Sequence, residues 1–95
     1  MNIQAMVKQL QKDMLKAKEE IDNTTFTGKS SFVTIEMNGT KKILSVKIDM
    51  ETIEKEEIEL LEDMVLVAIN DVMTQIDNVT EEKMGRFTQG MPGLF

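Results

Sequence analysis

Between residues 56 and 84 (EEIELLEDMVLVAINDVMTQIDNVTEEKM), apolar side chains recur at Ile58, Leu61, Val65, Ala68, Ile69, Val72, Ile76 and Val79. That is the spacing of a helix with one buried face. In its middle, Met64, Val65, Leu66, Val67, Ala68 and Ile69 make the helix apolar on every side, and such a helix has to be covered all round. The stretch is about 40 Å long as a helix. The rest of a 95-residue chain is too little to wrap a rod of that length, so a second copy is expected to complete the cover. Lys83 in the last turn and Gly85 as a left-handed residue predict where it stops.

Residues 2–22 (NIQAMVKQLQKDMLKAKEEID) place Ile3, Met6, Val7, Leu10, Met14, Ala17 and Ile21 within one arc at helical period, with Asn2 as N-cap and Asn23 as a left-handed stop. At 24–37 the period changes. Val33, Ile35 and Met37 alternate with Thr34 and Glu36, as in a strand with one covered face. Gly28-Lys29-Ser30-Ser31 breaks the apolar pattern, which predicts a bulge or short loop between a stub at 24–27 and the main strand. Asn38-Gly39 predicts a two-residue hairpin turn in which Met37 faces Thr40 and Glu36 faces Lys41. The return strand, residues 41–49, then sets Leu44, Val46 and Ile48 on the face of Val33 and Ile35, with Lys41, Ser45 and Lys47 opposite. Residues 49–55 form a linker with a short helical turn. Glu54, Glu56, Glu57 and Glu59 follow at the positive end of the long helix, where carboxylates are favourable. The tail (RFTQGMPGLF) holds the single Pro and reads as a flexible arm from about residue 88, able to pack back through Phe87, Met91, Leu94 and Phe95.

The order is α-β-β-β-α, an α+β protomer with one antiparallel sheet and two long helices, forming a single domain over residues 1–95. Three strands cannot cover the apolar surface of both helices. Pairing two copies meets that need through Val33, Ile35, Leu44 and Val46 of the sheet and Met64, Val65, Val67, Ala68, Ile69 and Val72 of the long helix. The helices then project as two arms.

Composition narrows the chemistry. The chain has neither Cys nor His, so thiolate zinc sites, thiol nucleophiles and imidazole bases are excluded. Seventeen acids scattered over helices, without a His partner, do not make an active site. Gly28-Lys29-Ser30 lacks the upstream glycine of a phosphate loop and no helix follows it. The chain is therefore expected to be no enzyme and to need neither metal nor nucleotide cofactor. The longest apolar run, 64–69, is too short for a bilayer, and the N-terminus lacks a signal-peptide pattern, so a soluble cytoplasmic protein with no membrane partner is expected.

Charge is uneven. Residues 1–50 carry eight lysines against six acids, a net +2, and residues 51–95 three bases against eleven acids, a net −8. Lys8, Lys12 and Lys16 fall at i, i+4 and i+8 on the helix face opposite the apolar arc, Lys16 with Glu20 as a local ion-pair partner. Like charges at that spacing oppose each other by about 0.2–0.5 kcal/mol per pair, a cost that a bound polyanion removes. Lysine is equally a good solvated helix former. Spacing alone leaves both readings open.

Several pieces together carry a resemblance. They are MVKQLQKDMLK, FTGKS, VTIEMNG with the following VKID, LLEDMVLVAINDV, EEKMG and MPGLF, in that order. In order and spacing the chain resembles the YbaB/EbfC family of bacterial nucleoid-associated proteins along nearly its whole length. The resemblance implies a tweezer-shaped homodimer that binds double-stranded DNA with little sequence preference, in nucleoid organisation or gene regulation. It implies that the helical arms bind, here through Lys8, Lys12 and Lys16 with Lys83 and Arg86 near the end of the last helix. The alternative is a protein-interaction dimer beside replication or recombination proteins, with the Met-rich helices and the apolar tail as docking surface, although most of the nine methionines occupy core positions.

Overall fold

The computed structural model describes residues 2–88. The chain runs α1 (Ile3–Asp22), β1 (Thr25–Ser30), β2 (Val33–Asn38), β3 (Ile43–Ile48), a single 3-10 turn (Lys55–Glu57) and α2 (Ile58–Thr88). This is the predicted α-β-β-β-α order, with one antiparallel sheet ordered β1-β2-β3. The expected flexible arm falls almost wholly on residues 89–95, outside the described residues.

Asn2 starts α1 by accepting the Ala5 amide on its Oδ1 at 2.8 Å. Its other end departs from expectation, because Asn23 stays right-handed at φ −91° rather than turning left-handed. The Thr24 hydroxyl donates to the Glu20 carbonyl at 2.6 Å, and the Asn23 and Thr24 amides bond back to Glu19 and Ile21. The last carbonyls are thus satisfied without a left-handed residue.

The stub and bulge expected at 24–31 are instead a full strand and a tight turn. Thr25–Ser30 pairs with Val33–Asn38 in unbroken register from Thr25↔Asn38 to Ser30↔Val33, and Ser31, at φ 53°, takes the positive-φ place in the two-residue turn. Gly28 occupies an inward strand position. A Cβ there would lie 2.3 Å from the Ala68 carbonyl oxygen and 2.8 Å from the Val72 Cβ, so the missing side chain lets the α2 backbone settle on β1.

The second hairpin also differs. Residues 39–42 form a four-residue loop, Met37 pairs with Ile43 and Glu36 with Ser45, and the register shifts at Glu36/Met37. The loop is held by Asn38, whose Oδ1 accepts the Thr40 and Lys42 amides at 3.0 and 3.1 Å, and Lys41 takes the positive φ of 68°. Gly39 serves close approach, since a Cβ on it would lie 2.0 Å from the Ile21 carbonyl oxygen at the end of α1. Glu36 accepts from the Ser45 hydroxyl at 3.0 Å, while Lys41 pairs with Asp77 of α2 at 2.8 Å. The longer loop shifts β3 by an even number of residues, so Val46 and Ile48 still share the face of Ile35 and Val33.

α2 begins where predicted: the Glu57 carboxylate accepts the Glu54 amide at 3.1 Å in the leading turn. It does not stop at Gly85. The helix runs through it to Thr88, and Phe87 is 3% exposed against α1. Burying a Phe is worth about 1.5–3 kcal/mol, more than the roughly 1 kcal/mol that a helical Gly costs.

Two cores share α2. Phe26, Val33, Ile35 and Met37 of the sheet close on Ala68, Val72 and Ile76, whereas Ala17 and Ile21 of α1 close on Met84 and Phe87. Strung along one helix, they make a body 66 Å long and 21 Å wide. α2 packs chiefly on β1 and β2, and all the residues of β3 are exposed.

Candidate nucleic-acid interface

α1 and α2 run antiparallel. Ile21 and Asp22 line a surface depression with Ile76, Asp77 and Thr80, while Ala17 and Glu20 line another with Glu82 and Lys83. Only the later turns of α1 are held in this way. Leu10 and Met14 are partly buried, whereas Met6 is exposed and Ile3 is 79% exposed. Among the described residues, the first turns therefore carry an apolar face without a partner, and the helix stands out as an arm.

Lys8, Lys12 and Lys16 lie exposed along this arm. Among the described residues the ion pairs are Lys18–Asp22 at 2.9 Å and Lys41–Asp77. The expected Lys16–Glu20 pair does not form; the i, i+4 pair on α1 is Lys18–Asp22 instead. Asp13, flanked by Lys12 and Lys16, accepts from the Gln9 side-chain amide at 2.9 Å. The three lysines thus share an exposed face without a carboxylate salt-bridged to any of them, an arrangement able to meet a row of phosphates.

Lys83 is also exposed, but it borders a depression shared with Glu20 and Glu82. Lys16 borders the adjoining one with Asp13, Ala17 and Glu20. Arg86 lies on α2, and its side chain is outside the described residues. The acids of the long helix divide by distance. Asp63 and Val79 are separated by about 24 Å of helix, so the Glu54–Asp63 run sits several Debye lengths of about 8 Å from the arm. Asp71 and Asp77 lie between, Asp77 paired with Lys41, and Glu81 and Glu82, with Glu19 and Glu20 of α1, stay near its base.

The other expected site residues divide sharply. Val33, Ile35, Ala68 and Val72 are fully enclosed by the chain's own core, with Met64, Val65 and Ile69 partly buried against it. Leu44, Val46 and Val67 are about half exposed, Val46 at 52% and Val67 at 53%. Two residues have a part that the sequence did not show: Gly39, read there as a turn residue, and Leu15. Gly39 seats the sheet against α1. Leu15, 64% exposed, lies among the lysines. The signal for Leu15 is plain in the helical pattern, where a leucine sits about 20° from Lys8 and far from the apolar arc.

Among the described residues, no cluster of carboxylates is placed to hold a metal ion, and no helix is long and apolar enough to cross a membrane.

The same architecture occurs in a crystal structure of an uncharacterized protein from Helicobacter pylori, with a TM-score of 0.73 at 19% identity, covering 90% of this chain and 96% of that one. In sequence the chain is 48% identical over 97 residues to a nucleoid-associated protein of Lactococcus lactis, covering 97% of this chain and 98% of the relative. It is 38% identical over 99 residues to a nucleoid-associated protein of Ligilactobacillus salivarius, covering 99% and 95%. The model of the YbaB/EbfC DNA-binding family matches residues 1–91, and with relatives this similar along nearly their full lengths, the chain belongs to that family.

Proposed function

We propose that this protein organises the bacterial nucleoid as a homodimer that binds double-stranded DNA with little sequence preference, through phosphate contacts from Lys8, Lys12 and Lys16 on each arm. The observation that carries this reading is the row of three exposed lysines, salt-bridged to no carboxylate, on a projecting helix remote from the acidic end of the molecule. Lys83 and Arg86 act in support, at the more acidic base of the arm. Phosphate contacts position a protein without reading bases, so unrelated sequences bind alike. The dimer is supported by the apolar surface that the protomer leaves open. Leu44, Val46 and Ile48 on β3, with Leu66 and Val67 on α2, suit a second copy better than water.

The test is a mobility-shift titration on unrelated duplexes at two salt concentrations. Two arms engage up to six phosphates, and the slope of log affinity against log salt is expected near −0.9 per phosphate engaged. Changing Lys8, Lys12 and Lys16 together to Gln is expected to keep the dimer and its helicity and to flatten that slope. A triple variant that binds as tightly, with the same slope, would return the stripe to a solvated face. The protein-interaction reading, beside replication or recombination proteins, would then lead. Its support is the uncovered apolar start of α1 at Ile3, Met6 and Val7.

A further inference from the structure

We infer that Leu15 contacts the sugars of the bound duplex, between phosphates held by the lysines, and makes the arm prefer DNA to RNA. The inference rests on the DNA-binding reading above and adds a discrimination that phosphate contacts cannot supply.

Lys8, Gln11, Lys12, Leu15, Lys16 and Glu19 line one open depression on α1. Leu15 is 64% exposed there, while the helix meets its packing needs on the opposite side through Ala17 and Ile21. Single exposed leucines are common on protein surfaces and by themselves mean little. This one shares its depression with three cations and one carboxylate, Glu19, so the depression suits a ligand that is anionic beside the lysines and apolar beside Leu15. A nucleic acid strand alternates in that way, with charged phosphates joined by sugars that present C–H edges. An anionic lipid surface also joins the two properties, but an interfacial helix needs a broad apolar face. Here Leu15 is bordered by Gln11 and Glu19.

The sugar decides between DNA and RNA. Deoxyribose within a duplex offers Leu15 C–H edges and no free hydroxyl, whereas ribose adds a 2′-hydroxyl that is displayed in the shallow groove of an A-form duplex. Pressing that hydroxyl against a leucine strips its water without returning a hydrogen bond. The lysines see phosphates in both cases. Leu15 therefore contributes to DNA affinity, little to RNA affinity, and nothing to the salt slope.

The experiment measures binding of the full chain to a short DNA duplex and to the RNA duplex of the same sequence, each over a salt series. The proteins are the parent, Leu15→Gln, Leu15→Met and Lys12→Gln. Glutamine and methionine are both good helix formers, so α1 is preserved, and circular dichroism checks this. The parent is expected to prefer DNA. Leu15→Gln is expected to lose about tenfold on DNA and little on RNA, with an unchanged salt slope. Leu15→Met is expected to keep the preference, and Lys12→Gln to flatten the slope on both duplexes. If Leu15→Gln keeps the parent's DNA-to-RNA ratio while Lys12→Gln flattens the slope, the sugar contact is overturned and the DNA reading survives. If the parent binds neither duplex, both fall. If anionic vesicles bind the parent, compete with DNA and release Leu15→Gln, the leucine serves a membrane surface and the inference is overturned.

Discussion

On the β1 flank of the sheet, α2 covers the inward face and two of its side chains reach the strand's backbone. Asp71 accepts the Lys29 amide at 3.1 Å, and Gln75 donates to the Thr27 carbonyl at 2.9 Å. On the β3 flank, Val46 and Ile48 face the same way as buried Ile35 and Val33, yet both stay exposed, and the strand has a neighbour on one side only. β1 is the poorer in apolar residues, with Phe26 and Gly28 at its inward positions, and β3 the richer, with Val46 and Ile48. A covered strand with a blunted edge is finished, whereas a half-exposed apolar strand at an open edge invites pairing. Alternation along a strand says which face is apolar; it does not say which molecule covers that face.

The largest expected effect breaks the finished flank. Gly28→Val places side-chain atoms against the Ala68 carbonyl and the Val72 amide nitrogen, which lies 2.9 Å from even a Cβ. Backbone cannot yield as a flexible side chain does, so a loss of about 3 kcal/mol or more is expected in a denaturant titration. A variant as stable as the parent would mean that α2 does not sit on β1 this closely.

The next test sharpens the comparison at the open flank. Val46→Asp on a truly free surface is expected to change stability by about 0.5 kcal/mol or less. If a second copy covers β3, the same change buries an unpaired charge and costs several kcal/mol of association. Light scattering is expected to give twice the 10.8 kDa chain mass for the parent and the single mass for Val46→Asp. Val67→Asp on the exposed side of α2 is expected to act alike. A parent that runs as a folded monomer would leave the β3 face open and end the dimer proposal.

These contrasts also mark what was legible in the chain. The long helix, the amphipathic first helix and the strands β2 and β3 follow from period alone, whereas β1 reads as a stub because Gly28-Lys29-Ser30 breaks the pattern. Val46 and Ile48 keep their predicted face because the shift in the turn is even, and Leu44 falls at the irregularity. The Asn38-Gly39 pattern predicts a two-residue turn with positive φ, but the positive φ falls on Lys41 in a longer loop and not on Gly. At Gly28 and Gly39 its use is the absence of a Cβ against a neighbouring backbone, a tertiary fact with no local signature. The interface residues were drawn from every apolar position in reach. Val33, Ile35, Ala68 and Val72 are consumed by the protomer's own core, which leaves Leu44, Val46 and Val67 as the surface to test. The lysine stripe was readable from spacing. Its lack of salt-bridged carboxylates was not, because that depends on Gln9 engaging Asp13 and on Lys18 engaging Asp22.

The smallest expected effect concerns how far α2 extends as the shared support of both cores. Gly85 lies within the helix, and a Cβ on it would meet nothing within 4 Å. Alanine is favoured over glycine in a helix by about 0.8–1.0 kcal/mol, and by less near an end, so Gly85→Ala is expected to stabilise the protein by about 0.5 kcal/mol. In a domain of this size that raises the melting temperature by about 2–4 °C. The sign carries the information. A left-handed Gly85 closing the helix, as its place after Lys83 suggests, would make alanine destabilising by about 1 kcal/mol. A rise in melting temperature with the dimer mass unchanged supports a helix continuing to Phe87 and its contact with α1. A fall would end α2 at Gly85 and detach the second core from the long helix.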